Sequence, residues 1–202
     1  MMAAIAQTIW EAPVGVETDV ARLRRGDPEA LGALLERYQN RLYRYLLRLV
    51  REPAAAEDVF QQTWVRVAEQ ARRYDPRKSF DAWLFTVARN LAIDHLRRFR
   101  PESLDEPLPS GEARGDQIAA APASSLDRAI FQERAARLAE AMVSLPAVYR
   151  EVLTLRFEEE MKLEEIAEVL GAPLSTVKTR LRRSLESLRR KLEARGPAGD
   201  WV

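Results

Sequence analysis

Apolar residues recur along most of this chain at intervals of three or four positions, which is the spacing of one face of an α-helix. The alternating pattern of a strand is absent from the sequence. The pattern predicts a short helix over 18–25, stopped by Gly26, and then a long helix. Asp27 is a natural N-cap for the long helix, and Pro28 suits its first position. Its expected buried stripe is Leu31, Leu34, Leu35, Tyr38, Leu42, Tyr45, Leu46 and Leu49.

Two further helices complete a predicted first domain over 18–100. One runs from about Ala54 to Arg72, and the other begins after Ser79, which can cap it. The apolar stripe of the former is Val59, Phe60, Thr63, Trp64 and Val67. The latter, "FDAWLFTVARNLAIDHLRRF", should pack through Phe80, Trp83, Leu84, Val87, Leu91 and Ile93 to Leu96.

The composition changes between the helical segments. Residues 101–125 are rich in Pro, Gly and acidic side chains, a composition that favours a flexible acidic linker. Residues 1–17 lack the cationic start of a signal peptide and are predicted to be a flexible leader of a cytoplasmic protein. Residues 196–202 are left as a tail.

A second helical domain is predicted over 126–195. It has four predicted helices. The first spans about 126–143, the second begins after Pro146, the third is the short segment "KLEEIAEVLG" that ends at Gly171, and the last has Ser175 as N-cap. The fold class is therefore all-α, with two small helical domains joined by a flexible linker.

The segment "LEEIAEVLGAPLSTVKTRLRRSL" has the form of a helix-turn-helix: a short helix, a glycine turn and a longer basic helix. Apolar side chains would hold the two helices together, namely Ile166, Ala167, Leu170, Val177 and Leu181. The polar residues available to DNA at the start of the second helix are Ser175, Thr176, Lys178, Thr179, Arg182 and Arg183. The alternative is a basic helix face that is merely solvated.

Composition narrows the function classes. The chain has no cysteine and one histidine, His95, which excludes cysteine nucleophiles, disulfides and His-pair metal motifs. We therefore expect no metal and no cofactor held by cysteine or paired histidines, and His95, beside Arg97 and Arg98, is a poor candidate for a catalytic base. No segment approaches the roughly 20 apolar residues of a membrane span, so no membrane insertion is expected. The net charge is only +1, so any attraction to nucleic acid must come from local patches.

The first domain offers two further surfaces. Asp58, Gln61 and Gln62 share one side of the third helix, where they either dock a basic helical partner or are simply solvated. Tyr74 is predicted to lie in a loop, free to stack on an unpaired base. Asn90, a poor helix former, either reads a base or bonds within its helix.

Two blocks of the sequence resemble a known family. "AEDVFQQTWVRVAE" with "FDAWLFTVARNLAIDHLRR", followed by "LPAVYREVLTLRFEEEMKLEEIAEVLGAPLSTVKTRLRRSLESLRRKL", is similar to bacterial sigma factors of the extracytoplasmic-function group. The blocks correspond to regions 2 and 4 of that family, in the same order, and the resemblance runs from about Asp19 to Leu192.

The resemblance implies a protein that binds core RNA polymerase and directs it to promoters. It would not be an enzyme and would have no catalytic residues, because the phosphodiester chemistry belongs to the polymerase. Region 2 would melt and read the −10 element as single-stranded DNA, and region 4 would read the −35 element as duplex DNA. Asp58, Gln61 and Gln62 would meet the coiled coil of the largest polymerase subunit, and the flap of the second-largest subunit is a further expected contact. The linker would follow the RNA exit path, and an anti-sigma factor would be the regulatory partner.

The resemblance also assigns residues to DNA. Tyr74 and Asn90 would lie at the flipped −10 base, whose extrusion costs about a few kcal/mol of stacking. The arginines expected on the −10 backbone are Arg89, Arg97, Arg98 and Arg100. The −35 contacts would be Arg156, Lys178, Thr179, Arg182 and Arg183, beside Ser175 and Thr176 at the helix start.

Three positions depart from the family pattern. Gln62 stands where many relatives have an acid, Lys162 where a Ser or Thr usually caps, and Arg182 where some have an aromatic residue. Two other functions stay open: a helix-turn-helix regulator without polymerase, and a nucleic-acid-processing enzyme. The sequence shows neither a sensor domain for the first nor an acidic metal cluster for the second.

Overall fold

A computed structural model of the protein describes residues 15–99 and 125–193. Within these ranges the chain forms eight α-helices and no strand, so the expected all-α fold is confirmed. The helices are α1 (Val16–Arg24), α2 (Pro28–Val50), α3 (Pro53–Gln70), α4 (Phe80–Phe99), α5 (Ser125–Val143), α6 (Ala147–Leu153), α7 (Leu163–Leu170) and α8 (Leu174–Glu193). A 3₁₀ turn, Ala71–Arg73, extends α3, and a π turn, Thr154–Glu158, extends α6.

We call α1–α4 the first unit and α5–α8 the second unit. Most of the predicted leader 1–17, nearly all of the linker 101–125 and the tail 196–202 lie outside the described residues. Arg100, expected on the DNA backbone, lies outside them as well.

Several helix ends follow from local chemistry. The Asp27 side chain accepts a hydrogen bond from the Glu29 amide at 3.0 Å, and Pro28 occupies the first helical position, as predicted. The Ser79 hydroxyl accepts a hydrogen bond from the Ala82 amide at 3.3 Å, which confirms that Ser79 caps α4.

The predicted N-cap of α8 was wrong. This helix begins at Leu174, so Ser175 lies inside its first turn. The reason is Pro173, whose carbonyl accepts hydrogen bonds from the Thr176 amide at 2.9 Å and from the Val177 amide at 3.1 Å. Proline has its φ fixed in a range compatible with entry to a helix, so it starts the helix without a side-chain cap.

The core of the first unit surrounds α2. Its largest buried side chains are Leu34, Tyr38, Leu42, Tyr45, Leu46, Leu84 and Phe85. Tyr38 packs edge-on against Phe80 with ring centroids 5.4 Å apart, and Tyr45 packs in the same way against Phe85 at 5.1 Å. Such aromatic pairs add about 0.5–1.5 kcal/mol beyond the burial of their area.

The hydrophobic core continues from the first unit into the second. The cluster that contains Leu42 and Phe85 also contains Leu155, Ile166 and Val169. Helix α7 packs against α4, so the two units are in contact as well as joined along the chain.

Candidate functional site

The turn between α7 and α8 holds the two helices in a fixed relation. Gly171 has a left-handed backbone with φ of 59°. Its amide donates to the Glu168 carbonyl at 3.2 Å, and the Ala172 amide donates to the Ala167 carbonyl at 3.1 Å. These two bonds form a Schellman motif, which satisfies the last carbonyls of α7 and redirects the chain.

The packing side of this helix pair agrees with the sequence pattern. Ile166, Val169, Leu170 and Val177 are buried. Ala167 and Leu181 are partly buried against the same cluster. Lys162 precedes α7 without a side-chain cap, and Glu165 instead accepts the Lys162 amide at 2.7 Å. The weaker cap expected at Lys162 is therefore offset in part by Glu165.

The outward side of α8 is polar and basic. The residues exposed on it are Ser175, Lys178, Thr179, Arg182 and Arg183, and Thr176 is half-buried. Thr179 donates to the Ser175 carbonyl at 2.9 Å, and Arg182 lies 3.3 Å from Glu186 one turn later. The structure thus brings the predicted −35 residues of α8 together on one accessible surface.

A shallow concavity lies beside the start of α8. Its lining residues are Tyr149, Ser175, Thr176, Thr179, Arg180 and Arg183. Sequence reasoning missed Tyr149 and Arg180. The spacing of Arg180 on α8 could have found it, but Tyr149 reaches this place only through the packing of α6 against α8.

Arg156 is placed differently from the α8 residues. One of its terminal nitrogens donates to the Met161 carbonyl at 2.8 Å, and the side chain is half-buried. In this arrangement Arg156 stabilises the turn before α7, and its remaining N–H donors are the ones left for the predicted DNA contact.

The predicted face on α3 is accessible. Asp58, Gln61 and Gln62 are exposed and line one shallow groove. The other residues of this groove are Val65, Arg66, Glu69 and Leu91. Val65 is 59% exposed, so the groove combines acidic and amide groups with an accessible apolar side chain. The sequence pattern had placed Leu91 on the packing side of α4 and had given Val65 no role.

The expectation of an accessible Tyr74 was wrong. This side chain is only 5% exposed. Its ring packs against Phe80 and Trp83, with centroids 5.9 and 5.0 Å away, and its hydroxyl donates to the Lys78 carbonyl. Burial raises the pKa of Tyr74 to about 12. The loop is folded back onto α4 because three aromatic rings cover one another there.

The remaining −10 residues lie along α4. Asn90, Arg97 and Arg98 are exposed. Arg89 differs, because its Nε donates to Glu151 of the second unit at 2.8 Å. Burial acts to lower the pKa of Arg89, but the Glu151 carboxylate outweighs it and raises this pKa above its ordinary value.

The described residues contain no group of three or more His, Asp or Glu side chains placed to hold a metal ion. Among the same residues, every helix is too short or too polar to cross a membrane.

Comparison with known proteins assigns the family. A family model described as Sigma-70 region 2 matches residues 34–101, and one described as Sigma-70, region 4 matches residues 135–188. The chain is 30% identical over 169 residues to the ECF RNA polymerase sigma factor SigK of Mycolicibacterium vanbaalenii, covering 82% of this chain and 83% of that protein. The protein belongs to the ECF family of RNA polymerase sigma factors.

Other relatives agree with this assignment. This sigma factor is 29% identical over 180 residues to the ECF RNA polymerase sigma factor SigW of Bacillus subtilis, which covers 88% of this chain and 96% of that one. Among solved structures, CnrH in complex with the cytosolic domain of CnrY matches with a TM-score of 0.64 and 26% identity, over 90% of this chain and 99% of that chain. The sigma factor RpoE of Bartonella quintana, in complex with the anti-sigma factor NepR, shares the fold with a TM-score of 0.60 at 22% identity, over 80% of this chain and 96% of that chain.

Proposed function

We propose that this sigma factor binds core RNA polymerase through the α3 groove and directs it to promoters with two DNA-reading surfaces. The observation that carries this proposal is the accessible α3 groove within the region 2 match, on the same chain as an accessible basic α8 within the region 4 match. An ordinary DNA-binding regulator needs α8 but has no use for the groove.

The α3 groove suits a helical partner. Asp58 supplies a negative charge, Gln61 and Gln62 supply amides, and Val65 supplies an apolar contact. Such a surface matches a coiled coil that carries basic residues beside an apolar seam. We assign it to the coiled coil of the largest polymerase subunit, and the second unit to the flap of the second-largest subunit.

The start of α8 suits duplex DNA. Lys178, Arg182 and Arg183 can reach base edges or phosphates in the major groove, because the first turns of a recognition helix face the bases. The concavity beside them has the chemistry of a phosphate site, with a phenol from Tyr149 and guanidinium groups from Arg180 and Arg183.

The exposed end of α4 suits the −10 strand. Asn90 can pair with the edge of an unstacked base, while Arg97 and Arg98 can neutralise phosphates. A contact between Tyr74 and a flipped base would require the Tyr74, Phe80 and Trp83 rings to separate first.

An anti-sigma factor is the regulator that we propose. The sigma factor RpoE of Bartonella quintana, which shares this fold, is in complex with the anti-sigma factor NepR. If such a partner acts here, adding it should remove promoter-dependent transcripts without unfolding the sigma factor.

The test of function is transcription in vitro. The purified protein is added to core polymerase with a genomic fragment library, and transcript start sites are sequenced. Transcripts that share two spaced upstream motifs would support the proposal. Duplex binding by the protein alone, without transcripts, would instead indicate a regulator that acts without polymerase.

A further inference from the structure

One acid lies among the basic residues of α8, and it lies on the outward side of the helix. Over residues 174–192 the sequence has a single carboxylate, that of Glu186. Ser175, Thr179, Arg182 and Glu186 follow one another at intervals of four, three and four positions, which places them in one stripe along the helix. All four are exposed. Glu186 therefore continues the surface proposed above for duplex DNA.

A carboxylate in this stripe acts against simple attraction to DNA. The DNA backbone is a dense row of negative phosphates, and a negative side chain held close to it is repelled. If α8 bound DNA by charge alone, Glu186 would only lower the affinity. An acid on such a surface is favourable when it contributes to the choice between ligands instead.

Glu186 is bonded to an arginine of the same stripe. One terminal nitrogen of Arg182, Nη1, donates to the Glu186 carboxylate at 3.3 Å. The guanidinium group is planar, and its Nε–H and one Nη2–H point in the same direction along one edge of the plane. The bond from Nη1 to Glu186 leaves that two-donor edge of Arg182 available to a ligand.

A two-donor edge fits two kinds of acceptor on DNA. Guanine presents O6 and N7 in the major groove, and an arginine can bond both of them at once. A phosphate presents two oxygens to the same edge. The Glu186 carboxylate, held against Arg182, repels the charged phosphate but not the neutral base. The Arg182–Glu186 pair therefore favours guanine.

Other arginines of α8 are placed differently. Arg180 and Arg183 line the concavity beside Tyr149, and Arg182 does not. Farther along the helix, the Nε of Arg189 donates to Glu193 at 2.7 Å, so the corresponding edge of Arg189 is occupied. Helix α8 thus separates arginines suited to phosphate from one whose two-donor edge is suited to a base.

We propose that Glu186 is a positioning residue that directs Arg182 to the O6–N7 edge of a guanine in the upstream element. Without Glu186, the same guanidinium would bind a neighbouring phosphate equally well. The inference rests on the proposed function, because it requires α8 to lie in the major groove of a promoter.

The pair acts at the moment of binding and not in the free protein. The Arg182 side chain is 68% exposed and that of Glu186 is 55% exposed, and ion pairs so exposed contribute little to stability. Contact with DNA removes water from the pair and strengthens its electrostatic interaction. Glu186→Gln should therefore leave thermal unfolding unchanged while altering the choice of base.

The test is selection of DNA by the holoenzyme, which is this sigma factor bound to core polymerase. Duplexes with a randomised upstream region are bound, recovered and sequenced. One position should prefer guanine over adenine by about tenfold, as expected for a bidentate contact, and Arg182→Ala should abolish this preference. Arg182→Lys keeps the charge but not the planar fork, so it should lose the preference while retaining the salt dependence of binding.

Glu186→Gln isolates the positioning role. The guanine preference at that position should fall by about threefold or more, which is within the range for groups in direct contact. Glu193→Gln is the matched control, because it removes one carboxylate from the same helix at the same spacing from an arginine. It should leave the preference unchanged. In the Arg182→Ala protein, Glu186→Gln should have no further effect on the choice of base.

The outcomes separate this inference from the proposed function. A guanine preference that persists in Arg182→Lys, or that is unchanged in Glu186→Gln, would overturn the inference. An effect of Glu186→Gln on base choice in the Arg182→Ala background would mean that Glu186 contacts a base itself, and the positioning role would be wrong. A holoenzyme that selects an upstream motif without these effects leaves the proposed function intact. A holoenzyme that does not form, or that recovers no motif, overturns the proposed function and this inference with it.

Discussion

Two phenols of α2 illustrate how single side chains join parts of the fold, Tyr38 within the first unit and Tyr45 from the first unit to the second. Tyr38 is buried and donates its hydroxyl to Asp81 at 2.7 Å, and Tyr45 donates to Glu151. Burial, reinforced by the neighbouring carboxylate, raises the pKa of each phenol above its ordinary value. Both phenols therefore keep their protons, and these hydrogen bonds, to higher pH in the folded protein than an ordinary tyrosine would.

This leads to a prediction at high pH. The phenol of Tyr38 ionises in the unfolded chain near its ordinary pKa of 10.0 and only at higher pH in the folded protein. The unfolded state therefore binds fewer protons, and the free energy of unfolding should fall as pH rises above 10. Each such tyrosine lowers the free energy of unfolding by at most about 1.4 kcal/mol for each pH unit in this range. Urea unfolding between pH 9 and 11 measures this slope.

Tyr38→Phe tests the assignment directly. The variant should lose about 1 kcal/mol at neutral pH, because one hydrogen bond is removed while Asp81 keeps Arg41. It should also show a shallower loss of stability above pH 10. Equal slopes for the variant and the wild type would mean that Tyr38 does not control this behaviour.

Asp58 is the residue on which the polymerase contact can be tested. Asp58→Arg should leave the fold intact, because the side chain is helical and exposed. It should weaken binding to core polymerase by about 30-fold or more, because the change reverses a charge in the proposed contact and a residue on which an interface depends costs about 2 kcal/mol or more when changed. Glu57→Arg is the matched control, since Glu57 is also exposed on α3 but lies outside the groove. Unchanged affinity in folded Asp58→Arg would remove the assignment.

At the scale of elements, replacing glycine by alanine should have opposite effects on stability within α2 and at the end of α7. Gly171 has a left-handed backbone, whereas Gly32 lies within α2, and a Cβ added to either would meet nothing within 4 Å. Gly171→Ala should therefore destabilise the protein by about 1 kcal/mol through backbone strain alone. Gly32→Ala should stabilise it by about 0.5–1 kcal/mol. Thermal unfolding of both variants checks the pair, and a change of the same sign in both would refute it.

Helix α8 is the element on which upstream recognition depends. Lys178→Ala with Arg182→Ala should weaken duplex binding. The slope of log K against the logarithm of salt concentration should become shallower by up to about 1.8, or about 0.9 for each phosphate that is no longer neutralised. Polymerase affinity should not change. Arg189→Ala with Arg190→Ala removes the same charge from the far end of the helix. If the two double variants lose the same affinity, α8 attracts DNA only by its charge.

At the scale of the whole molecule, the sequence was sufficient to predict the features that depend on neighbouring residues or on regular spacing. Hydrophobic spacing located the helices to within a few residues, Asp27 and Ser79 were correctly placed as caps, and the basic face of α8 is exposed as expected. Each of these features depends on residues close together in the chain.

Long-range packing was not predictable in the same way. Arg41 and Glu159 are 118 positions apart, and Arg89 and Glu151 are 62 apart, so no sequence spacing marks them as partners. Tyr74 was misjudged because a loop position indicates exposure only if nothing nearby can cover the ring. Here Phe80 and Trp83 do so.

The carboxylates that pair with Arg41 and Arg89 belong to the same small unit as α8. The two DNA-reading surfaces proposed above therefore lie on units that contact each other through these pairs. Elements that lie farther apart on DNA than α4 and α8 lie in the protein could be read together only after these contacts break. The spacing between the two elements would then carry an energetic cost set by the contact between the units.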